Sequence, residues 1–177
     1  MAKRMCIFQI AYYLTTMVRY PVVFISSGQP HMESGFRVLE NVALADTAFE
    51  AWGDTPSQLF EAASKAVIET MVTSSSVGDS WRKEVTLQHA ELNELLFEWL
   101  SYIVFLKDAE AVLFHRVQCR VWQDQHDHMW HVRGVLIGAR IDPSLQELHM
   151  DVKAVTRHLY EVRQDGDQWV ATIVLDV

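Results

Sequence analysis

The sequence predicts an α+β fold: a two-layer domain in which a mixed or largely antiparallel sheet carries two main helices on one face. Three observations lead there. Patterned segments run strand, strand, helix, strand, helix and then strands only, an order that segregates the helices instead of alternating them regularly with strands. Two segments keep helical apolar spacing over many residues, while the other apolar segments alternate with period two. At 177 residues, half of them hydrophobic, the chain can bury one sizeable core without disulfides or structural metal.

Residues 1–34 read as a poorly specified extension. Lys3 and Arg4 precede an apolar run from Met5 to Val18, Arg19 interrupts it, and Pro21 to Ile25 forms a second run before Ser-Ser-Gly. A signal peptide needs an unbroken apolar region with a small-x-small cleavage site, and a spanning helix needs about 20 apolar residues; Arg19 spoils both. Ordered patterning begins just after Met32, which makes Met32 the alternative start, and the domain proper is expected over 35–177.

From Gly35 the pattern is globular. Phe36 and Val38, with Val42 beyond them, alternate as a strand, and Ala48 to Trp52 makes a second. Thr55 then reads as a helix cap, with Pro56 suited to the first turn and Gln58 three residues on completing a capping box. Leu59, Ala63, Ala66, Val67 and Met71 give that helix one apolar face to about Val72. Thr73 to Ser76 and Gly78 form a loop, and Trp81 to His89 alternates as a strand. Glu91 to Lys107 is the longest helical run; its stripe of Leu92, Leu95, Leu96, Trp99, Leu100, Ile103 and Val104, widened by Phe97, Tyr102 and Phe105, predicts a mostly buried helix. Ala111 to Trp122 and Met129 to Ile137 form a hairpin around a polar tip, Gln123 to His128, and Asp142-Pro143 turns the chain again. Lys153 to Arg163 and Trp169 to Val177 form a last hairpin about Asp165-Gly166-Asp167.

Charge narrows the function. With 15 basic and 23 acidic residues the net charge is −8, whereas affinity for nucleic acid rests on basic side chains neutralising phosphates. Direct nucleic-acid binding is therefore not expected, and work on RNA would pass through a protein partner. Two distant cysteines, Cys6 and Cys119, form no CxxC motif and fit a reducing, cytoplasmic compartment. No membrane association is expected.

Few residues announce chemistry. There is no G-x-S-x-G elbow, no Walker loop and no G-x-G-x-x-G, so no catalytic residue is named. Cys119 lies in an alternating strand and reads as a small buried or half-buried residue instead of a nucleophile. His126, Asp127, His128 and His131 are the densest ligand-like cluster, with His126 and His128 expected on one strand face. Zinc needs three or four converging ligands, and no spacing rule brings Cys119 or an outside acid there, so a polar hairpin tip is the expectation. Acids at strand ends remain: Asp46, Asp142 and Asp176 are of a kind that suits Ca²⁺ or Mg²⁺, but spacing does not single them out among 23 acids, and solvated turn acids are the expectation. Lys153 opens the strand beside the closing Ile-Val-Leu-Asp-Val177.

Five stretches, in order, resemble the archease family, small proteins that assist the GTP-dependent RNA ligase of the RtcB type in tRNA splicing and RNA repair. They are Ala45-Asp46 with Phe49 to Thr55, Leu95 to Leu100, Ile141 to Pro143, Val152 to Thr156 with His158, and Val174 to Val177. The resemblance implies a non-catalytic accessory protein that promotes guanylylation and multiple turnover of the ligase. It also implies a divalent cation, Ca²⁺ foremost with Mg²⁺ as the alternative, held by Asp46, Asp176 and Val177, and a part for Lys153 in activating the partner. A stand-alone metal-dependent enzyme and a chaperone-like modulator of a tRNA methyltransferase are the alternatives. Where the family keeps an acid and a histidine this chain has Val42 and Ala43, and Arg157 replaces a common aromatic residue.

Overall fold

The computed structural model describes residues 33–39 and 46–177. The expected start at Met32, the extension up to that residue and the departure at Val42 and Ala43 lie outside these. Among the described residues, seven strands and two α-helices follow in the order β1 (Gly35–Leu39), β2 (Asp46–Gly53), α1 (Pro56–Met71), β3 (Trp81–His89), α2 (Leu92–Glu110), β4 (Val112–Gln123), β5 (Trp130–Arg140), β6 (Ala154–Asp165) and β7 (Gln168–Asp176). The class is α+β, as the sequence predicts, and the strand pairings are antiparallel.

The strands divide into two sheets instead of one, ordered β1-β2-β7-β6 and β3-β5-β4. The chain passes from the first sheet to the second through α1 and returns through the connection 141–153. That stretch leaves the second sheet after β5 and makes one isolated bridge, Val72 with Leu148, before β6 opens in the first sheet. Both helices touch strands of both sheets.

Local chemistry explains the element ends. The Thr55 hydroxyl accepts from the Gln58 amide at 3.2 Å, and the Gln58 side chain accepts from the amides of Asp54 and Thr55 at 2.9 and 3.2 Å. Orphan donors of the first turn are thus satisfied in both directions. Helix α2 stops where Ala111 takes a left-handed conformation, φ 50°. Gly166, φ 61°, makes the β6–β7 turn that Asp-Gly predicts.

Trp99 is the centre of the core. It is completely buried, and its indole N–H donates to the Ser64 hydroxyl at 2.9 Å, which in turn donates to the Phe60 carbonyl at 2.6 Å. This chain of bonds ties α2 to α1. Gly134 on β5 makes room for the indole: a Cβ there would meet Trp99 Cη2 at 2.6 Å and Cys119 Cβ at 2.9 Å.

Candidate functional site

Three strand ends converge at one end of the four-stranded sheet. β2 begins at Asp46 and β7 finishes at Asp176, and their antiparallel register makes these two acids direct Cα partners. On the other side of β7, Ala154 is the partner of Asp176, which brings Lys153 to the same end. The Lys153 amide donates to the Asp176 carbonyl at 2.8 Å, and its Nζ donates to the Val177 oxygen at 3.0 Å. The chain therefore gathers all four residues singled out in the sequence. Asp176 and Val177 are half-buried and Lys153 is exposed.

Lys107, on the last turns of α2, fixes the approach to Lys153. Its Nζ donates to the Val152 carbonyl at 3.0 Å and to Asp151 Oδ1 at 2.5 Å, and lies 2.8 Å from Asp108. Val152 itself is fully buried, so Asp151, Val152 and Lys153 are held both by packing and by a charged clamp. Burial works against the Lys107 ammonium, but the hydrogen bonds and charges of Asp108 and Asp151 outweigh it and hold the pKa above the ordinary lysine value. The Lys107 hydrogen bond and charge hold the Asp151 carboxyl below its usual range. Sequence reasoning read Lys107 only as the end of a helix. A lone cation on the apolar side of a buried helix was the available signal, because such a group needs a partner.

The donors at this tip are carboxylates and a main-chain oxygen, a set that fits a hard cation and not a soft one. Asp46, Asp176 and Val177 are the residues of this set.

Other sequence candidates have local uses. Asp142 Oδ1 accepts from the Ser144 amide at 2.9 Å and from its hydroxyl at 2.6 Å, bonds that lower its pKa and close the turn after β5. Burial pushes the Cys119 thiol far above its ordinary value, with the charge of Glu61 adding to it, which leaves the thiol a packing group, as its strand pattern suggests. Arg157 is a clamp between β6 and α2. It forms a two-pronged bond to Glu94, 2.6 Å on each prong, and its guanidinium lies 3.7 Å from the Phe97 ring centre. Phe97 and Tyr160 lie beside it, in edge contact with each other at 5.3 Å. Just beyond Arg157 the ladder between β6 and β7 shifts register, and Leu159 has φ 53°.

His126 and His128 do not share a strand face, because they lie in the turn between β4 and β5. His128 takes a left-handed conformation, φ 59°, and period-two alternation fails there. A groove of about 630 Å³ elsewhere, lined by Glu61, Lys65, Ser74 and His115 among others, includes none of the four residues at the sheet end.

Among the described residues, no helix is long and apolar enough to cross a membrane. The sequence model of the Archease protein family (MTH1598/TM1083) matches residues 36–177. A protein archease of Methanopyrus kandleri is 34% identical over 133 residues, covering 75% of this chain and 94% of the relative. One from Pyrobaculum neutrophilum is 32% identical over 138 residues, covering 75% and 90%. The solution structure of Methanobacterium thermoautotrophicum protein 1598 superposes with a TM-score of 0.68 at 28% identity, covering 81% of this chain and 99% of that one. A crystal structure from Thermotoga maritima, described as an archease and possible chaperone, shares the fold with a TM-score of 0.52 at 20% identity over 76% of this chain and 93% of the other. With the fold, the order of its motifs and a match running from β1 to the last residue, the chain belongs to the archease family.

Proposed function

We propose that this chain is a non-catalytic accessory protein of an RtcB-type, GTP-dependent RNA ligase, promoting the ligase's guanylylation and multiple turnover in tRNA splicing or RNA repair. One juxtaposition carries the reading: Asp46 opposes Asp176 across β2–β7 while Lys153 is bonded to both Asp176 and Val177. This is a compact polar tip with an exposed lysine, built on strand ends and braced by Lys107. The net charge of −8 favours a protein partner over direct contact with RNA.

Asp46, Asp176 and Val177 would hold a divalent cation, Ca²⁺ foremost and Mg²⁺ as the alternative, since each offers oxygen. Such a cation supplies positive charge beside Lys153 at the surface that meets the ligase. Lys153 is the group that would reach the partner, and the clamp from Lys107 to Val152 fixes where its backbone starts.

The test measures the covalent ligase–GMP adduct formed from GTP, with and without the purified chain, and repeats the assay with Asp46→Ala and Lys153→Ala. The wild type is expected to raise both the rate of adduct formation and the number of turnovers, and each variant to lose most of that effect. No stimulation by the wild type sinks the proposal.

A further inference from the structure

The β4–β5 hairpin ends in a cluster that the accessory role does not use. One carboxylate oxygen each from Asp124 and Asp127 and one imidazole nitrogen of His131 lie within 4.8 Å of one another. Asp124 directly follows β4, Asp127 is on the turn and His131 is the second residue of β5, so two ligands come from the loop and one from the strand that leaves it.

The turn fixes each acid with one oxygen only. Asp124 Oδ1 accepts from the His126 amide at 2.7 Å, and Asp127 Oδ1 accepts from the Met129 amide at 2.8 Å. Main-chain bonds from His128 N to Asp124 O, 3.0 Å, and from Asp124 N to Met129 O, 2.9 Å, close the loop around them. The His131 ring is held by stacking on Trp122, with centroids 5.3 Å apart and planes 12° apart.

His131 Nε2 is fully buried and has no hydrogen-bond partner. Asp127 Oδ2 lies 3.7 Å from it, too far for a hydrogen bond. Buried polar atoms are almost always satisfied, and one left without a partner costs stability. The same spacing suits two ligands of one ion. With metal–ligand bonds of about 2.0–2.2 Å, neighbouring donors in a tetrahedral shell stand roughly 3.3–3.6 Å apart.

We infer that Asp124, Asp127 and His131 form a transition-metal site at the hairpin tip, with Zn²⁺ the ion its donors suit best. An imidazole nitrogen is foreign to Ca²⁺ sites, whereas one nitrogen with two carboxylate oxygens is within the range of zinc. Three protein ligands leave a fourth position for water or for one of the exposed turn histidines, His126 or His128. The site is separate from the sheet end at Asp176, since β4 and β5 belong to the other sheet. The cluster seen in the sequence already held Asp127 and His131, and the fold adds Asp124 in place of His126 and His128.

The experiment titrates the full chain, stripped of metal, with Zn²⁺ by calorimetry in buffer containing excess Ca²⁺ and Mg²⁺, and with Co²⁺ by visible absorption. Wild type is expected to bind one Zn²⁺ with loss of about tenfold or more in affinity in His131→Gln and in Asp127→Asn, a size ordinary for disturbing a metal shell. The Co²⁺ bands of the wild type should fade in both variants, and Asp176→Asn should leave them intact. Asp127 is exposed, so its variant keeps the test valid even where His131→Gln disturbs packing. Absence of Zn²⁺ binding by the folded wild type, or equal affinity in wild type and Asp127→Asn, overturns the inference.

Discussion

Lys107 reaches out of the buried stripe of α2 to the Val152 carbonyl, 3.0 Å away, one residue before Lys153. Its side chain is 9% exposed, and Asp151 and Asp108 complete its contacts. A buried cation with two acids and a carbonyl is costly to break from one side only, because the acceptors lose their partner. Lys107→Met keeps most of the volume and is expected to destabilise the fold by about 1–3 kcal/mol in chemical denaturation. If the clamp also sets the geometry of Lys153, stimulation of the ligase should fall at temperatures where the variant remains folded. Full stimulation in folded Lys107→Met would restrict the clamp to stability.

Lys153 itself is exposed, and Asp176 is at the end of its strand. Lys153→Ala should therefore change the unfolding midpoint little, within about 0.5 kcal/mol, while removing most of the ligase activation. Asp176→Asn should weaken Ca²⁺ binding in a calorimetric titration. Unchanged Ca²⁺ affinity would remove Asp176 from the cation site.

Acid should expose the Arg157 clamp. The Arg157 hydrogen bond, partly opposed by burial, holds the Glu94 carboxyl below its ordinary value of 4.5. A depressed carboxylate contributes stability that is present above the unfolded pKa and lost as pH falls through the folded one. Stability should therefore decline as pH drops from about 5 to about 3, and less steeply in Arg157→Gln, where Glu94 titrates nearer its ordinary value. Equal slopes in thermal melts of the two proteins would show that the clamp carries no linkage.

Two core changes report on the join between the helices and the second sheet. Ser64→Ala leaves the buried Trp99 N–H without its acceptor and is expected to cost about 1–3 kcal/mol. Gly134→Ala drives a methyl to 2.6 Å from the same indole. That overpacking should cost about 1–3 kcal/mol as well. Because both act on one ring, the double variant should depart from additivity.

The local features were legible and the distant ones were not. Thr55, Pro56 and Gln58 write a helix start within four residues, and Asp165-Gly166 writes a turn, because each signal and its effect lie side by side. The opposition of Asp46 and Asp176 depends on pairing β2 with β7 across the length of the chain, which periodicity cannot supply. The ordered family resemblance named those residues, but the register that makes them partners appears only in the folded sheet. Lys107 was hidden for the same reason, since its partners Asp151 and Val152 are far along the chain. At the hairpin tip the strand period was carried too far into the turn, and so His126 and His128 were paired where Asp124, Asp127 and His131 meet.

The strand order has a consequence for how the protein is made. Of the described strands β7 is synthesised after all the others, yet it lies between β2 and β6, both of which must wait for it. Until residues 168–176 emerge, the nascent chain can form its three-stranded sheet but leaves β2 with one bare edge and β6 without its neighbour. Asp46 meets Asp176 only after that closing step, so a prematurely terminated chain lacks the polar tip altogether. Synthesis through β7 is thereby a condition for displaying the surface at all.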